Sequence, residues 1–370
     1  EMSASLVGSE MCIRDRGNGS TNAAYQKLTQ TVEEGTVVTF AKVPARTGYV
    51  NQGWSSKKNS EKATAKAKCT VNKNITLYAV QKKAVQLTFH RCDGSTWQKT
   101  TLAKGSSYSL PGVRDAEGYT FMGWSTKPMQ SVSPQYEAEE KITVNGNVDL
   151  YAVVFNRTTE TDLTEDQLPQ VDIYKYKQVI FVGDSRTEFM ENVLTGMGES
   201  ATKNVKFVCS AGKGLDWFTT TGWAQLYSIV QHDSNSILSK KTAVIFNFGV
   251  NDLSKSADYA EYYNWIAPQL KSKGCELYFM SVNPVNRLML PNAGRADRSE
   301  AAVRSFNQYM KANLSSAYTY IDMYSYLKST GYSFASDHYG TGTVDDGLHY
   351  TTRTYKRIFA KCMDSLRVPA

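Results

Sequence analysis

No stretch of this chain comes near the ~18 consecutive apolar residues that a membrane-spanning helix needs, so no transmembrane segment is expected. Cysteine is sparse and scattered. The six, Cys12, Cys69, Cys92, Cys209, Cys275 and Cys362, form no C-x-x-C pair and have no histidine at metal-ligand spacing. That excludes the usual zinc sets, and neither a metal nor a cofactor is expected. Cys209 and Cys275 lie inside apolar runs and read as small buried hydrophobes, while Cys69 and Cys92 are a candidate disulfide. A nucleic-acid-binding motif is also missing, so nucleic acid is not expected as a partner although the net charge is +7. The densest basic cluster, Lys57, Lys58, Lys62, Lys66, Lys68 and Lys73 with Lys82 and Lys83, reads as a solvated face or as a patch that adheres to an anionic wall polymer.

The N-terminus lacks both the basic start and the apolar core of a signal peptide. Residues 1–16 read instead as a translated sequencing-adapter fragment, with the native start and any secretion signal missing. What is present is ample apolar material, 41% of 370 residues, enough for two or three domains.

The first half contains a repeat. Gly48-Tyr49-Val50-Asn51-Gln52-Gly53-Trp54-Ser55 recurs as Gly118-Tyr119-Thr120-Phe121-Met122-Gly123-Trp124-Ser125, and Ile75-Thr76-Leu77-Tyr78-Ala79-Val80 as Val148-Asp149-Leu150-Tyr151-Ala152-Val153. Alternating apolar residues such as Val85, Leu87 and Phe89 mark strands around them. The paired glycines permit tight turns beside bulky anchors. This pattern resembles the internalin-type B repeats, or Listeria–Bacteroides repeats. The resemblance implies small β-grasp-like modules on secreted or surface proteins of bacteria, at 17–81 (truncated) and 84–155. They would serve as spacers or as wall-binding modules. Residues 156–177 are polar, acidic and Thr-rich, which reads as a linker.

From 178 to 370 the pattern changes. Short runs at 179–182, 205–209, 243–248, 277–282 and 318–321 have the length and branched content of buried strands. Between and after them lie helical faces. Val303, Phe306, Met310 and Leu314 share one; Tyr355, Ile358, Phe359, Cys362 and Met363 share another, with Thr351 or Thr352 as its N-cap. The expected fold is α/β, a three-layer doubly wound parallel sheet, and active sites in such sheets lie at the carboxyl ends of the strands.

Chemistry gathers at those ends. Gly183-Asp184-Ser185-Arg186 follows the first strand, Ser210-Ala211-Gly212-Lys213-Gly214 the second, and Gly249-Val250-Asn251-Asp252 the third, while Asp346-Gly347-Leu348-His349 precedes the last helix. A serine hydroxyl is a weak nucleophile without a neighbouring imidazole, and the imidazole's tautomer needs a carboxylate. Asp346 and His349 sit on one loop, and the Ser185 N–H, a Gly212 or Gly214 N–H and the Asn251 amide are suitable oxyanion donors. Asp184 and Asp252 read as loop braces, and His90, His232 and His338 as surface or structural residues.

The four blocks, in order, resemble the SGNH hydrolases of the GDSL-esterase superfamily, with a flavodoxin-like sheet. The resemblance implies Ser185 as nucleophile, His349 and Asp346 as its base and orienter, and Ser185, Gly212 and Asn251 as the oxyanion hole. The leucine of GDSL is replaced by Arg186, as in a GDSR-type subset. Arg186 would either pair with a carboxylate or touch an anionic part of the substrate, and Trp217 would either stack on a sugar or join the core. The implied activity is a secreted or surface-associated carboxylic ester hydrolase. It would remove O-acyl, chiefly acetyl, groups from a glycan or a small ester, with a cell-wall polymer as a candidate partner of the repeats. An O-acyltransferase using the same triad and a non-catalytic adhesion protein are the alternatives.

Overall fold

The computed structural model describes residues 9–14, 30–172, 175–232, 241–335 and 345–366. The chain forms two compact units. One takes in the described residues up to His90 with Thr96–Tyr108 and Lys141–Leu150; the other takes in Arg91–Ser95, Ser109–Glu140 and the described residues from Tyr151 onward.

The strands of the first half are β1 (Ser9–Arg14), β2 (Gln30–Val32), β3 (Thr36–Thr39), β4 (Tyr49–Ser55), β5 (Lys68–Val71), β6 (Ile75–His90), β7 (Thr96–Ala103), β8 (Ser106–Ser109), β9 (Tyr119–Ser125), β10 (Lys141–Val144) and β11 (Val148–Asn156). Ser9–Arg14, inside the segment read as extraneous, runs parallel to β6 with Met11 opposite Ile75. The repeated Gly-Trp pairs are built alike. Gly53 and Gly123 take φ of 120° and 143° where the strand register shifts, a backbone that L side chains rarely adopt. Each bulge turns the next residue inward: Trp54 and Trp124 are buried and donate their indole N–H to Ala41 O (2.7 Å) and Pro111 O (2.8 Å). Cys69 and Cys92 are both free thiols, so the candidate disulfide is absent.

The second unit is organised by five parallel strands. They are β12 (Tyr176–Gly183), β13 (Val205–Cys209), β14 (Lys241–Asn247), β15 (Cys275–Met280) and β16 (Tyr318–Ile321), in the order β13-β12-β14-β15-β16. The helices are α1 (Ser185–Met197), α2 (Trp223–His232), α3 (Ser256–Ser272), α4 (Glu300–Asn313), α5 (Met323–Thr330) and α6 (Thr352–Ser365). Strand periodicity produces the three layers. Val179, Phe181, Ala243 and Ile245 face one core with Phe189, Met190 and Val193 of α1 and Ile358, Phe359 and Cys362 of α6. Ile180, Val182, Val244 and Phe246 face the other with Leu226 of α2, Tyr263 and Ile266 of α3 and Phe306 of α4. Each of the Val, Leu, Ile, Phe and Met side chains contributes ~1.5–3 kcal/mol on burial, so a strand with apolar residues on both faces is fixed in the centre of the sheet. Thr351 caps α6 by accepting from Thr354 N–H.

Polar composition hid the packing of 156–177. Leu168 and Val171 are buried in the β12–α1–α6 core, and the buried Glu160 accepts from Ser333 Oγ (2.6 Å) and Arg357 Nη1 (3.0 Å). Part of the second repeat joins the same body. β9 pairs antiparallel with residues 151–156 of β11, and Met122, Val153 and Phe155 lie in that core. Among the described residues no helix is long and apolar enough to cross a membrane.

Candidate active site

The carboxyl ends of β12, β13 and β14 deliver three loops to one crevice, and the segment before α6 delivers a fourth. At the end of β12 only glycine fits: a Cβ on Gly183 would lie 2.0 Å from Thr187 Oγ1. Asp184 then caps α1, its carboxylate accepting from Arg186 N–H at 3.0 Å. Burial pushes its carboxyl up to about 6 against the pull of Arg186. Ser185 is thereby fixed as the first residue of α1, at the positive end of that helix.

Ser185 Oγ lies 2.9 Å from His349 Nε2, and His349 Nδ1 lies 2.7 Å from Asp346 Oδ2. Asp346 also accepts from the N–H groups of Leu348 (2.9 Å) and His349 (2.8 Å) and from Arg295 Nε (3.2 Å). Burial opposes ionisation of Asp346, yet the His349 ring first, with the His349 and Leu348 N–H groups, holds its carboxyl below the usual range. An ionised carboxylate can only accept, so Nδ1 carries the proton and Nε2 is left to accept from the serine hydroxyl. Burial also lowers the His349 pKa from 6.5; Asp346 opposes the shift, and Arg186 and Arg295 add to it. The neutral ring is therefore the resting form at neutral pH. Phe189, one turn after Ser185, stacks on the imidazole at 4.3 Å and restricts its rotation.

The crevice beside this chain of bonds has a volume of about 310 Å³ and is lined by Phe189, Gly212, Asn251, Arg295 and Arg298 together with Ser185 and His349. Gly212, with φ of 69°, has no heavy atom near its Cβ position, whereas a Cβ on Gly214 would meet the Asp252 carboxylate at 2.3 Å. Of the two glycines, Gly212 is the one at the crevice. Its loop is held by Glu188, which accepts from Ala211 N–H at 2.7 Å. Asn251 donates through Nδ2 to Lys213 O (2.8 Å), and its Oδ1 accepts from Arg298 Nη2 (2.7 Å). Arginine can only donate, so this contact fixes which end of the Asn251 amide is nitrogen.

Residues 179–362 match the GDSL-like lipase/acylhydrolase family. The C-terminal domain belongs to that family. It is an ester hydrolase domain of the SGNH type, and residues 15–80 and 86–153 match the Listeria-Bacteroides repeat domain. No curated protein sequence matches the chain closely enough to count as a relative. Similar solved structures include one from Bacteroides fragilis proposed to be an acylhydrolase, 15% identical, which covers 54% of this chain and 92% of its own with a TM-score of 0.36. An acetyl xylan esterase is 11% identical over 51% of this chain and 100% of its own, with a TM-score of 0.35. A Bacillus subtilis protein is 12% identical over 97% and 98%, with a TM-score of 0.33. The assignment rests on the family match and the sheet order rather than on these likenesses.

Two residues of the hydrolase domain sit elsewhere than expected as substrate contacts. Arg186, which replaces the signature leucine, is buried, and its guanidinium donates to Leu348 O (3.0 Å), Asn283 O (2.9 Å) and Pro284 O (2.9 Å). It ties the histidine loop to the loop after β15 and does not line the crevice. Neither does Trp217, which packs against Phe248 with ring centroids 6.0 Å apart. Asp252 is a brace, as expected, accepting from Leu215 N–H (2.9 Å) and Tyr259 O–H (2.7 Å). His90 pairs with Asp149, and His338 lies outside the described residues. Sequence reasoning missed Phe189, Glu188, Arg295 and Arg298. The arginines lie in the loop between β15 and α4, and two arginines three apart after a parallel strand were the available signal.

Proposed function

We propose that the hydrolase domain is a serine esterase of a secreted or surface-associated bacterial protein and removes O-acyl groups, acetyl above all, from an acidic glycan. The observation that carries this is the unbroken series Ser185 Oγ, His349 Nε2, His349 Nδ1, Asp346 Oδ2, with contacts of 2.9 and 2.7 Å, opening on a crevice that Gly212 and Asn251 share. In the reaction Ser185 Oγ attacks the ester carbonyl while His349 takes its proton. The Ser185 and Gly212 N–H groups and Asn251 Nδ2 receive the oxyanion. His349 returns the proton to the departing sugar hydroxyl, then activates the water that frees the acyl group from Ser185.

The crevice supports a small acyl group on an anionic carrier. Its volume of about 310 Å³ is at the low end for ligand pockets, about 300–1,000 Å³. Arg295 and Arg298 line it, with no carboxylate among its described lining residues. Arg298 is taken up by Val250 O, Ala296 O and Asn251, whereas Arg295 commits its Nε to Asp346 and offers its terminal nitrogens to a carboxylate or phosphate. The repeats, of a kind typical of surface proteins, would hold the domain at such a polymer. The test is acetate release by the full chain from acetylated acidic and neutral glycans. Arg295→Gln should depress turnover of the acidic substrate well beyond that of the neutral one; equal losses would remove the anionic carrier. Adding free sugar acceptors separates hydrolysis from acyl transfer, and absence of any ester turnover would favour the adhesion reading.

A further inference from the structure

The loop that carries Asp346 and His349 is gripped from two sides. On one side stand residues of its own domain, Arg186 on Leu348 O and Phe189 on the imidazole. On the other stands the second repeat. Asp115, in the segment that leads into β9, has a fully buried carboxylate. It accepts from Phe121 N–H (2.8 Å), Arg157 Nη2 (2.8 Å) and Asn286 Nδ2 (2.7 Å). The same Arg157 nitrogen reaches Asp345, the residue just before Asp346. Asp345 in turn accepts from Gly347 N–H at 2.9 Å, and Asn286 N–H donates to Gly347 O at 2.9 Å. A third strand of contacts runs from Arg114 to Asn292 Oδ1 (2.7 Å) and from Asn292 Nδ2 to Asp345 O (3.0 Å).

These contacts converge on the residues either side of Asp346. Gly347 leaves little slack, because it takes φ of 64° and its Cβ position lies 2.3 Å from Asn286 O. Asn286 is the residue that Asp115 holds. A spacer module has no reason to bury a carboxylate beside a second carboxylate, since burial and Asp345 both push the Asp115 pKa up against the pull of Arg157 and the Phe121 N–H. Breaking such a buried network by removing one partner is costly, because it leaves an uncompensated buried charge, so the network holds the two segments in one geometry.

We propose that the second repeat is a working part of the esterase, in which Asp115 and Arg157 are positioning residues that set the Asp346–His349 loop against Ser185. This rests on the serine-esterase reading above. Neither residue touches substrate. Both act through Asp345 and Asn286, so their loss should lower the turnover step and leave substrate binding nearly intact.

The experiment uses the full chain. Ester turnover by the parent and its loss in Ser185→Ala test the esterase reading separately. With those in hand, Asp115→Asn and Arg157→Met should lower kcat by about 10- to 100-fold, the range for a reacting group displaced by about 1 Å, with KM within about twofold. Arg157→Lys, which keeps one donor between the two carboxylates, should recover much of the loss. The downfield proton signal of His349 Nδ1–H should broaden in the impaired variants and sharpen again in Arg157→Lys. Parent-like kcat in folded Asp115→Asn and Arg157→Met overturns the proposal. So does a fall in kcat that tracks lost thermal stability, shifts KM equally and is not rescued by lysine. Should both variants fail to fold, the exposed Arg114→Ala decides: a several-fold loss of kcat at unchanged melting temperature supports the proposal, and parent kcat overturns it.

Discussion

Replacing Arg298 with methionine should weaken the proposed oxyanion hole without touching the proposed nucleophile. Its Nη2 donates to Asn251 Oδ1 at 2.7 Å, while Asn251 Nδ2 is held by Lys213 O at 2.8 Å. A hydrogen bond from a charged donor is worth ~1.5–3 kcal/mol net, and the neutral one that remains ~0.5–1.5 kcal/mol. The amide therefore keeps some preference for its orientation in Arg298→Met but loses the larger share. Removing an oxyanion donor altogether costs about 10²–10³ in kcat. Asn251→Ala should show that full loss, and Arg298→Met roughly tenfold, ~1.4 kcal/mol of transition-state stabilisation. The assay is kcat on a neutral aryl acetate, so that any direct contact between arginine and an anionic substrate drops out. The double variant discriminates best. Because Arg298 acts through Asn251, the pair should be no slower than Asn251→Ala alone. Independent, multiplying losses would refute the reasoning, as would an Arg298→Met enzyme with parent kcat.

Arg186→Leu should act on stability. Pro284 O keeps the Tyr350 hydroxyl at 2.6 Å, but Asn283 O and Leu348 O lose their buried donor, at ~1–3 kcal/mol each. Denaturant unfolding should show a loss of at least about 2 kcal/mol, with activity reduced alike on acidic and neutral esters; unchanged stability with a selective loss on acidic substrates would reinstate the substrate contact. The pH profile follows from His349, whose pKa burial holds below 6.5. Attack needs the neutral ring, so kcat/KM should rise with pH through a midpoint below 6.5 and stay level above it, and an acid limb centred above about 7 contradicts the burial argument. Because the unfolded imidazole takes its proton first, His349 should also make the fold less stable as pH falls below 6.5.

The parallel sheet was legible because each strand carries apolar residues on both faces: Val179 to Val182 alternate between the two cores and still read as one continuous run. The placement of the candidate site residues was legible for a related reason. Ser185, Gly212, Asn251 and His349 each fall just past a strand or just before a helix, and glycine marks the tight backbone there. What could not be read was the partner of a side chain whose partner is a backbone carbonyl far along the chain. Arg186 advertised an unpaired charge at a helix start, and nothing in its neighbourhood pointed to carbonyls at 283, 284 and 348. Trp217 is an aromatic beside a site motif, and only tertiary packing places it against Phe248. Asp115 lies outside the Gly-Tyr and Gly-Trp signature of its repeat, so nothing in the pattern marked its grip on the histidine loop.

The most direct test of the central claim is covalent. A serine-directed phosphonate should add once per chain, at Ser185, with ester turnover lost in step with labelling, and peptide mass spectrometry locates the adduct. His349→Ala should neither label nor turn over at a comparable rate, and Ser185→Ala should lose on the order of 10⁶ in kcat. A folded Ser185→Ala protein that hydrolyses esters as fast as the parent, or an adduct on another residue that accounts for the inhibition, would contradict the account.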